Sequence, residues 1–388
     1  MVENNVSTTD KIRCEYLETQ DPYACYGCGA CALSCPTDAI EMLEDKKGFT
    51  YPTLNEEKCV NCGACGNICI YRKEQKQKFR HKLYAVQNKS AEVLEHCQSG
   101  GIFDAFSDAV IGDGGKVYGS IVCDNLSVKH IGSCHAYDRD KMRGSKYVRS
   151  ELGIECIKKI GTDLGQGKSV LFTGTPCQCA AINALYGTYD NLFTVEFICH
   201  GTPSQNLYKD YIKWFEGKIG RKIKSVFFRI QAWKSEGLHT MLLEGDNEKQ
   251  YFNSDYSALF YSHLGHRESC LKCGFANKNR QADITMGGFL DLNLFESFGN
   301  KYSVSMCILN SEKGHELFDR IKESVCIKEV DYDDNYFKQQ PRLYHPVGVP
   351  NFYNEFWEEY MNNGYKSAVD QFVPQILYDQ YHLVNPGG

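Results

Sequence analysis

Apolar residues fall into two alternating rhythms along most of this chain. From residue 82 onward, short runs of β-branched and aromatic residues are followed by stretches whose apolar positions recur every three or four residues. Lys82–Asn88 reads as a strand, and Ser99-Gly100-Gly101 leads into a helix with Ile102, Phe103, Phe106, Ala109 and Val110 on its apolar face and Ser99 as N-cap. Lys116–Cys123 is a strand, and Ser127–Ile131 is expected to pair with it. A helix over Ser150–Leu164 keeps Leu152, Cys156, Ile157, Ile160 and Leu164 on one side. A compact unit follows: strand Ser169–Phe172, tight loop Thr173-Gly174-Thr175-Pro176, helix Cys177–Tyr186, then strand Phe193–Ile198. Strand, helix and strand in this order predict a parallel sheet covered by helices. Val226–Ile230 and His239–Leu243 read as an antiparallel pair, a helical stretch begins near Asp255, and Val304–Leu309 is one more strand before Glu312-Lys313-Gly314. Near the end, Phe352, Phe356 and Tyr360 stand at helical spacing, which marks a packing face.

The first 82 residues are patterned differently. Residues 1–20 read as a flexible lead-in in which Cys14 is a free thiol without partner spacing. Ala39–Asn55 suggests a small hairpin, with Ile40 and Met42 before the turn Lys46-Lys47-Gly48 and Phe49 and Tyr51 after it. Residues 72–82 are charged and almost without apolar side chains, as expected of a solvated linker. The expected domains are therefore 21–71, 83–372 and a C-terminal tail, 373–388.

Composition narrows the picture. With 388 residues the chain can hold a small module and a larger core. Its 43 basic and 49 acidic residues leave no cationic excess for phosphate neutralisation, so nucleic acid is not the expected partner. Met1–Asp10 is polar and lacks the apolar core of a secretory signal, and no apolar run is long enough to span a bilayer. Twenty cysteines then suggest metal ligands and reduced thiols in an anoxic cytoplasm.

Eight of those cysteines form two near copies of one run, Cys25-x-x-Cys28-x-x-Cys31-x-x-x-Cys35 and Cys59-x-x-Cys62-x-x-Cys65-x-x-x-Cys69. In the bacterial ferredoxin pattern three close thiolates hold one cubane and the fourth crosses to the other. Cys25, Cys28, Cys31 and Cys69 are thus expected to bind one [4Fe-4S] cluster, and Cys59, Cys62, Cys65 and Cys35 the second. Zinc would use two pairs rather than runs of four. Pro36 follows Cys35, whereas Ile70 stands where the second copy usually has proline.

Electrons delivered by two clusters need an endpoint, and the chain has no C-x-x-x-C-x-x-C, no C-x-x-C-H and no G-x-G-x-x-G. Three loops at expected helix starts offer amides for an anion: Ser99-Gly100-Gly101, Arg143-Gly144-Ser145-Lys146-Tyr147 and Thr173-Gly174-Thr175-Pro176. Each alone is also an ordinary helix cap. In order with Leu171–Gln178, Ile198-Cys199-His200-Gly201-Thr202-Pro203-Ser204, Ser269-Cys270-Leu271-Lys272-Cys273, Ala282–Gly287 and Glu312-Lys313-Gly314, they resemble the coenzyme F420 hydrogenase/dehydrogenase beta subunit family over about Lys82–Phe372. That family includes deazaflavin-reducing subunits of methanogen enzymes and chlorophyll-pathway reductases.

The resemblance implies an α/β flavin domain, with a mixed sheet and flanking helices, behind a small ferredoxin-like 2[4Fe-4S] domain. It implies FAD contacts at Ser99, Gly100, Gly101, Lys146, Tyr147, Thr173, Gly174 and Thr175. Lys146 would stabilise a phosphate or the reduced flavin, and His200 would deliver a proton or simply fix its loop. Cys177, Cys199, Cys270 and Cys273 would hold a third [4Fe-4S] cluster, although zinc or a reduced thiol pair at Cys270 and Cys273 also fits their spacing. Met286-Gly287-Gly288-Phe289-Leu290 departs from the family pattern, since Gly288 stands where an acid is usual. The expected activity is electron transfer from ferredoxin or another redox protein, through the clusters, to FAD and a small organic acceptor. The competing expectations are a deazaflavin-oxidising or deazaflavin-reducing subunit of a larger complex and a non-catalytic electron carrier. The pattern leaves substrate, direction of flow and homo-oligomerisation open.

Overall fold

The computed structural model describes residues 13–73, 82–229, 241–246, 249–289, 296–330 and 340–384. Near the N-terminus, helix α1 (Glu15–Thr19) precedes the first cysteine run, in which Ala30–Leu33 forms α2. Strands β1 (Ile40–Glu44) and β2 (Thr50–Leu54) pair antiparallel as expected. Asp45 closes their turn by accepting from the Lys47 and Phe49 amides, and Gly48 takes φ 86°. The second run carries α3 (Ala64–Ile68). Gly29 and Gly63 begin α2 and α3 with the same left-handed φ of 77°, so the doubled sequence folds into a doubled geometry.

The main body is a mixed α/β layer structure. Its strands are β3 (Lys82–Asn88), β4 (Lys116–Val122), β5 (Val128–Ser133), β6 (Val170–Gly174), β7 (Leu192–Phe197), β11 (Ile284–Gly288), β12 (Ser305–Leu309) and β13 (Val325–Val330), in the order β13-β3-β12-β11-β7-β6-β4-β5. The centre, β4, β6, β7 and β11, is parallel, while β5, β12 and β13 run against their neighbours. Its helices are α4 (Ala91–His96), α5 (Ile102–Gly112), α6 (Ala136–Met142), α7 (Ile154–Gly165), α8 (Pro176–Tyr186), α9 (Gln205–Ile219), α10 (Asp255–Ser262), α11 (Glu268–Leu271), α12 (Glu312–Asp319), α13 (Tyr353–Asn363) and α14 (Tyr365–Val384).

Period-two alternation sorts the sheet faces: Val117 and Leu171 join Ile102, Phe106 and Val110 of α5 and Leu317 and Phe318 of α12, whereas Tyr118 and Phe172 join Ile157 and Ile160 of α7 and Ile182 of α8. A second, aromatic core gathers Tyr208, Tyr211 and Phe215 of α9, Tyr256 and Phe260 of α10, and Phe356 and Trp357 of α13 around a small antiparallel sheet, β10-β9-β8. Those strands are β8 (Ile223–Phe227), β9 (Met241–Gly245) and β10 (Gln250–Asn253). Val226 pairs with Leu243, matching the expected pairing. Residues 230, 239 and 240 of that expectation lie outside the described residues, as do 74–81 of the charged linker and Leu290.

Four expectations are corrected. The N-cap of α5 is Gly101, at φ 68°, not Ser99, whose hydroxyl instead donates to the Val304 carbonyl at 3.0 Å. The long helix α9, capped by Ser204 Oγ on the Leu207 amide, is absent from the pattern reading, and its buried apolar face is Leu207, Tyr208, Tyr211, Ile212 and Phe215. Phe352 caps α13 and is exposed rather than part of its buried face. The boundary expected at residue 372 falls inside α14.

The N-terminal module packs directly on the body. Tyr26, Ala30 and Ile70 meet Cys177, Ala180, Ala181 and Phe275 in one apolar seam. Ile70, the departure from proline, is buried in that seam, where its branched side chain fills space against α8.

Candidate metal centres

No disulfide joins any of the twenty cysteines. In the N-terminal module the loops aim donors at sulfur: the Gly27 amide at Cys25 Sγ and the Ala39 amide at Cys35 Sγ, both at 3.3 Å. Burial raises the pKa of Cys35, but the amides of Thr37, Ala39 and Ile40 and the Thr37 hydroxyl outweigh it and lower the thiol overall. Cys28 is pushed up to about 12 by burial, with the charges of Cys25, Cys177 and Cys69 adding to it. Cys69 thus lies near enough to Cys28 for its charge to be felt there. Cys62 is exposed, so the second set of ligands lies toward solvent and the first toward the body.

Cys14 is not the isolated thiol expected. It is buried, and its side chain meets both Cys31 and Cys65, one expected ligand of each cluster. No spacing rule connects residue 14 to the two runs, so only folding reveals it.

The structure brings Cys177, Cys199, Cys270 and Cys273 around one cavity, with Tyr26, Arg149, His200, Thr202 and Arg342 in its wall. Three elements supply them: Cys177 opens α8, Cys199 follows β7, and Cys270 and Cys273 come from α11 and the turn just beyond it. Thr175 caps α8 reciprocally with Gln178, and its hydroxyl lies 3.2 Å from Cys177 Sγ. The Gly201 amide donates to Cys199 Sγ at 3.4 Å, and Thr202 Oγ1 is 3.7 Å from Cys270 Sγ. Arg280 fixes the loop after Cys273 through the Phe275 and Asn277 carbonyls and is paired with buried Glu196 at 2.5 Å.

Burial and mutual charge raise Cys199, Cys270 and Cys273, Cys273 to about 12 and Cys199 far above its usual range. Thiols so placed ionise only against a strongly cationic occupant. Among the described residues no three His, Cys, Asp or Glu side chains converge closely enough for one metal ion. Four thiolates around one cavity are the donor set of a cubane or of a tetrahedral zinc ion.

The loops assigned to a flavin lie along one rim of the sheet. β3, β4, β6, β7 and β11 run the same way, so Asn88, Thr175, Cys199 and Phe289 share their carboxyl edge with the Val304–Ser305 entry into β12. A Cβ on Gly100 would fall 2.2 Å from the Val86 carbonyl and 2.6 Å from the Ser305 amide, so only glycine lets this loop close on β3 and β12. Gln98 joins it to the next loop by accepting from the Ser145 amide at 3.0 Å. Thr173 Oγ1 donates to the Tyr118 carbonyl, and His130 contacts the Thr173 carbonyl and Ser150.

Lys146 is placed differently from a free cation. Its ammonium is wrapped by the carbonyls of Lys141, Met142, Arg143 and Gly144 at 2.8–3.2 Å, the carboxyl end of α6. Burial pushes its pKa down to about 7. Tyr147 is stacked on Phe260 at 4.4 Å, and His200 stands edge-on to Tyr261 at 6.5 Å. Gly288 has open space where a side chain would begin, so the missing acid is not a steric exclusion.

Residues 24–72 match the 4Fe-4S dicluster domain, and residues 167–335 match the model for the carboxyl-terminal part of the coenzyme F420 hydrogenase/dehydrogenase beta chain. The beta-subunit segment contains all four cavity cysteines, His200 and Thr173–Thr175, while Ser99–Gly101, Lys146 and Tyr147 precede it. An uncharacterized protein of Methanocaldococcus jannaschii is 26% identical over 198 residues, 44% of this chain and 54% of that one. One component of the Na(+)-translocating ferredoxin:NAD(+) oxidoreductase complex of Acetobacterium woodii is 43% identical over 47 residues, 12% of this chain and 13% of that one. The chain thus spans about half, or less, of the curated relatives it matches. A chain of the F420-reducing [NiFe] hydrogenase complex from Methanosarcina barkeri aligns with TM-score 0.48 and 16% identity, covering 77% of this chain and 92% of that one.

Two arginines carry structure that no sequence motif singles out. Arg267 donates to the Cys25 and Thr50 carbonyls at 2.7 and 3.1 Å and lies 4.0 Å over the Tyr51 ring. Arg149 donates to the Tyr26 and Gly27 carbonyls at 2.7 and 3.2 Å. Among the described residues no helix is long and apolar enough to cross a membrane.

Proposed function

We propose that the chain is an iron-sulfur flavoprotein oxidoreductase, carrying electrons from ferredoxin or another redox protein to a small organic acceptor. The observation that carries the reading is the cavity of Cys177, Cys199, Cys270 and Cys273, which touches the dicluster module at Tyr26 and opens the carboxyl edge of the sheet on its other side. Open α/β sheets bind their ligands at that edge. The exposed position of Cys62 makes the outer cluster the entry point, the Cys28 side the second station and the cavity cysteines the third.

Ser99, Gly100, Gly101, Lys146, Tyr147, Thr173, Gly174 and Thr175 would hold FAD. The loop at Gly100, on β3 and β12, and the loop at Thr173, on β6, are three to four strand spacings apart, about 14–19 Å at ~4.8 Å per strand, which suits an extended dinucleotide. α5 begins without a side-chain cap, leaving its first amides for a phosphate. When bound, FAD supplies the conversion of single electrons into a hydride equivalent, which clusters alone do not perform. His200, in the cavity wall, is positioned as the proton donor to the acceptor.

Lys146 gives the flavin assignment a pH signature. With a pKa near 7 it is charged at pH 6 and largely neutral at pH 8. FAD affinity should therefore fall as pH rises through 7, by roughly tenfold for a charged contact of about 1.5 kcal/mol. Fluorescence titration of FAD at pH 6 and 8 checks this, and Lys146→Gln should flatten the difference.

Anoxic purification with iron, sulfide and flavin quantification tests the whole reading: about twelve irons and one FAD per chain are expected. Flavin-free protein at full iron content would point to a carrier rather than an enzyme. The beta-subunit segment favours a second reading, turnover of a deazaflavin within a larger complex. Reduction of deazaflavin by the purified chain decides between that and another acceptor.

A further inference from the structure

We propose that Arg149 is the positioning residue that couples the cluster held by Cys25, Cys28, Cys31 and Cys69 to the four-cysteine centre, and that it holds the reduction potential of that centre up. The inference rests on the third cluster proposed above. Arg149 Nη2 donates to the carbonyls of Tyr26 and Gly27, the two residues between Cys25 and Cys28. Its Nη1 points to Cys177 Sγ at 3.9 Å. One rigid guanidinium thus spans from the ligand loop of one centre to a ligand sulfur of the next, which a flexible lysine cannot do with the same fork.

Among the described residues no carboxylate pairs with its charge. Arg139, Arg143 and Arg280 each pair with a carboxylate within 2.5–2.8 Å. The guanidinium of Arg149, among the described residues, meets only two carbonyls and a sulfur. A cation in a protein interior needs a compensating charge, and the nearest source is thiolate at Cys177, Cys270 and Cys28. A hydrogen-bonded positive charge beside a cluster favours its more negative, reduced form and raises its potential. In the coupled step one electron leaves the Cys25-side cluster and the four-cysteine centre gains it. No bond is made, no proton moves and the guanidinium stays protonated.

The test is an anoxic redox titration followed by low-temperature electron paramagnetic resonance on the full chain, with iron counted in every sample. In Arg149→Gln the midpoint of the third centre should fall by the equivalent of a roughly tenfold change in its one-electron equilibrium, about 59 mV at n = 1. Spin coupling to its neighbour should weaken, and the outer cluster should stay unchanged. Arg149→Lys keeps the charge without the fork and should lie between the two. It is also the variant to read if Arg149→Gln loses iron, an intermediate midpoint supporting the proposal. Unchanged midpoint and coupling in an iron-replete variant would overturn the role of Arg149 and leave the third cluster standing. About eight irons in the parent protein would instead overturn the third cluster itself.

Discussion

Replacing Cys270 and Cys273 together with alanine is expected to lower the iron of the anoxically purified protein from about twelve atoms per chain to about eight. The two thiols share a cavity with Cys177 and Cys199, so a cubane there would lose half its ligands at once. The N-terminal ligands lie on other loops and keep their amide donors at Cys25 and Cys35. Their spectroscopic signals should persist while the third disappears, and flavin reduction by the reduced N-terminal clusters should slow by orders of magnitude. Metal analysis and stopped-flow absorbance give the two readouts. An unchanged iron count would remove Cys270 and Cys273 from the ligand set.

Arg267→Ala should be the most damaging substitution outside the cysteines. The side chain is almost wholly buried, and it ties α11 of the body to the Cys25 loop and to β2 while lying against Tyr51 and Phe49. Alanine leaves two carbonyls unsatisfied and removes a cation–π contact, on the order of 3–5 kcal/mol together. Neighbouring Glu268, which accepts from Tyr51 and pairs with Lys47, would lose support on the same seam. The expected result is a lower thermal midpoint together with faster iron release from the Cys25-side cluster to a chelator, because the N-terminal module loosens from the body. Calorimetry and chelator kinetics measure both. A variant that loses stability but releases iron at the parent rate would confine Arg267 to a packing role.

The physical reason that some features were legible is periodicity. β1, β2, β3 and α8 match their expected spans closely, since each is set by local alternation, a turn or a helix start within a few residues. The eight N-terminal cysteines are equally local: two fixed-spacing runs with left-handed glycines between them. Helix α9 went unread although Leu207, Tyr208, Tyr211, Ile212 and Phe215 stand at helical spacing; Lys209 and Lys213 between them interrupt the stripe until the aromatic core covers it. Cys14 escaped for a stronger reason, since its partners are 17 and 51 residues away.

Sequence alone determined the ligand runs, the alternation of strands and helices and the match of residues 167–335 to the beta-subunit model, because each is carried by the order of residues along the chain. Tertiary structure decided which thiols meet. Cys177, Cys199 and the Cys270–Cys273 pair come from three separate elements, and only the sheet order and the fold of α11 against the N-terminal module bring them to one cavity. The same closure turned Lys146 from a free cation into the cap of α6 and placed Arg149 between two thiol sets. Charge and burial depend on distance through space, which no spacing along the chain encodes.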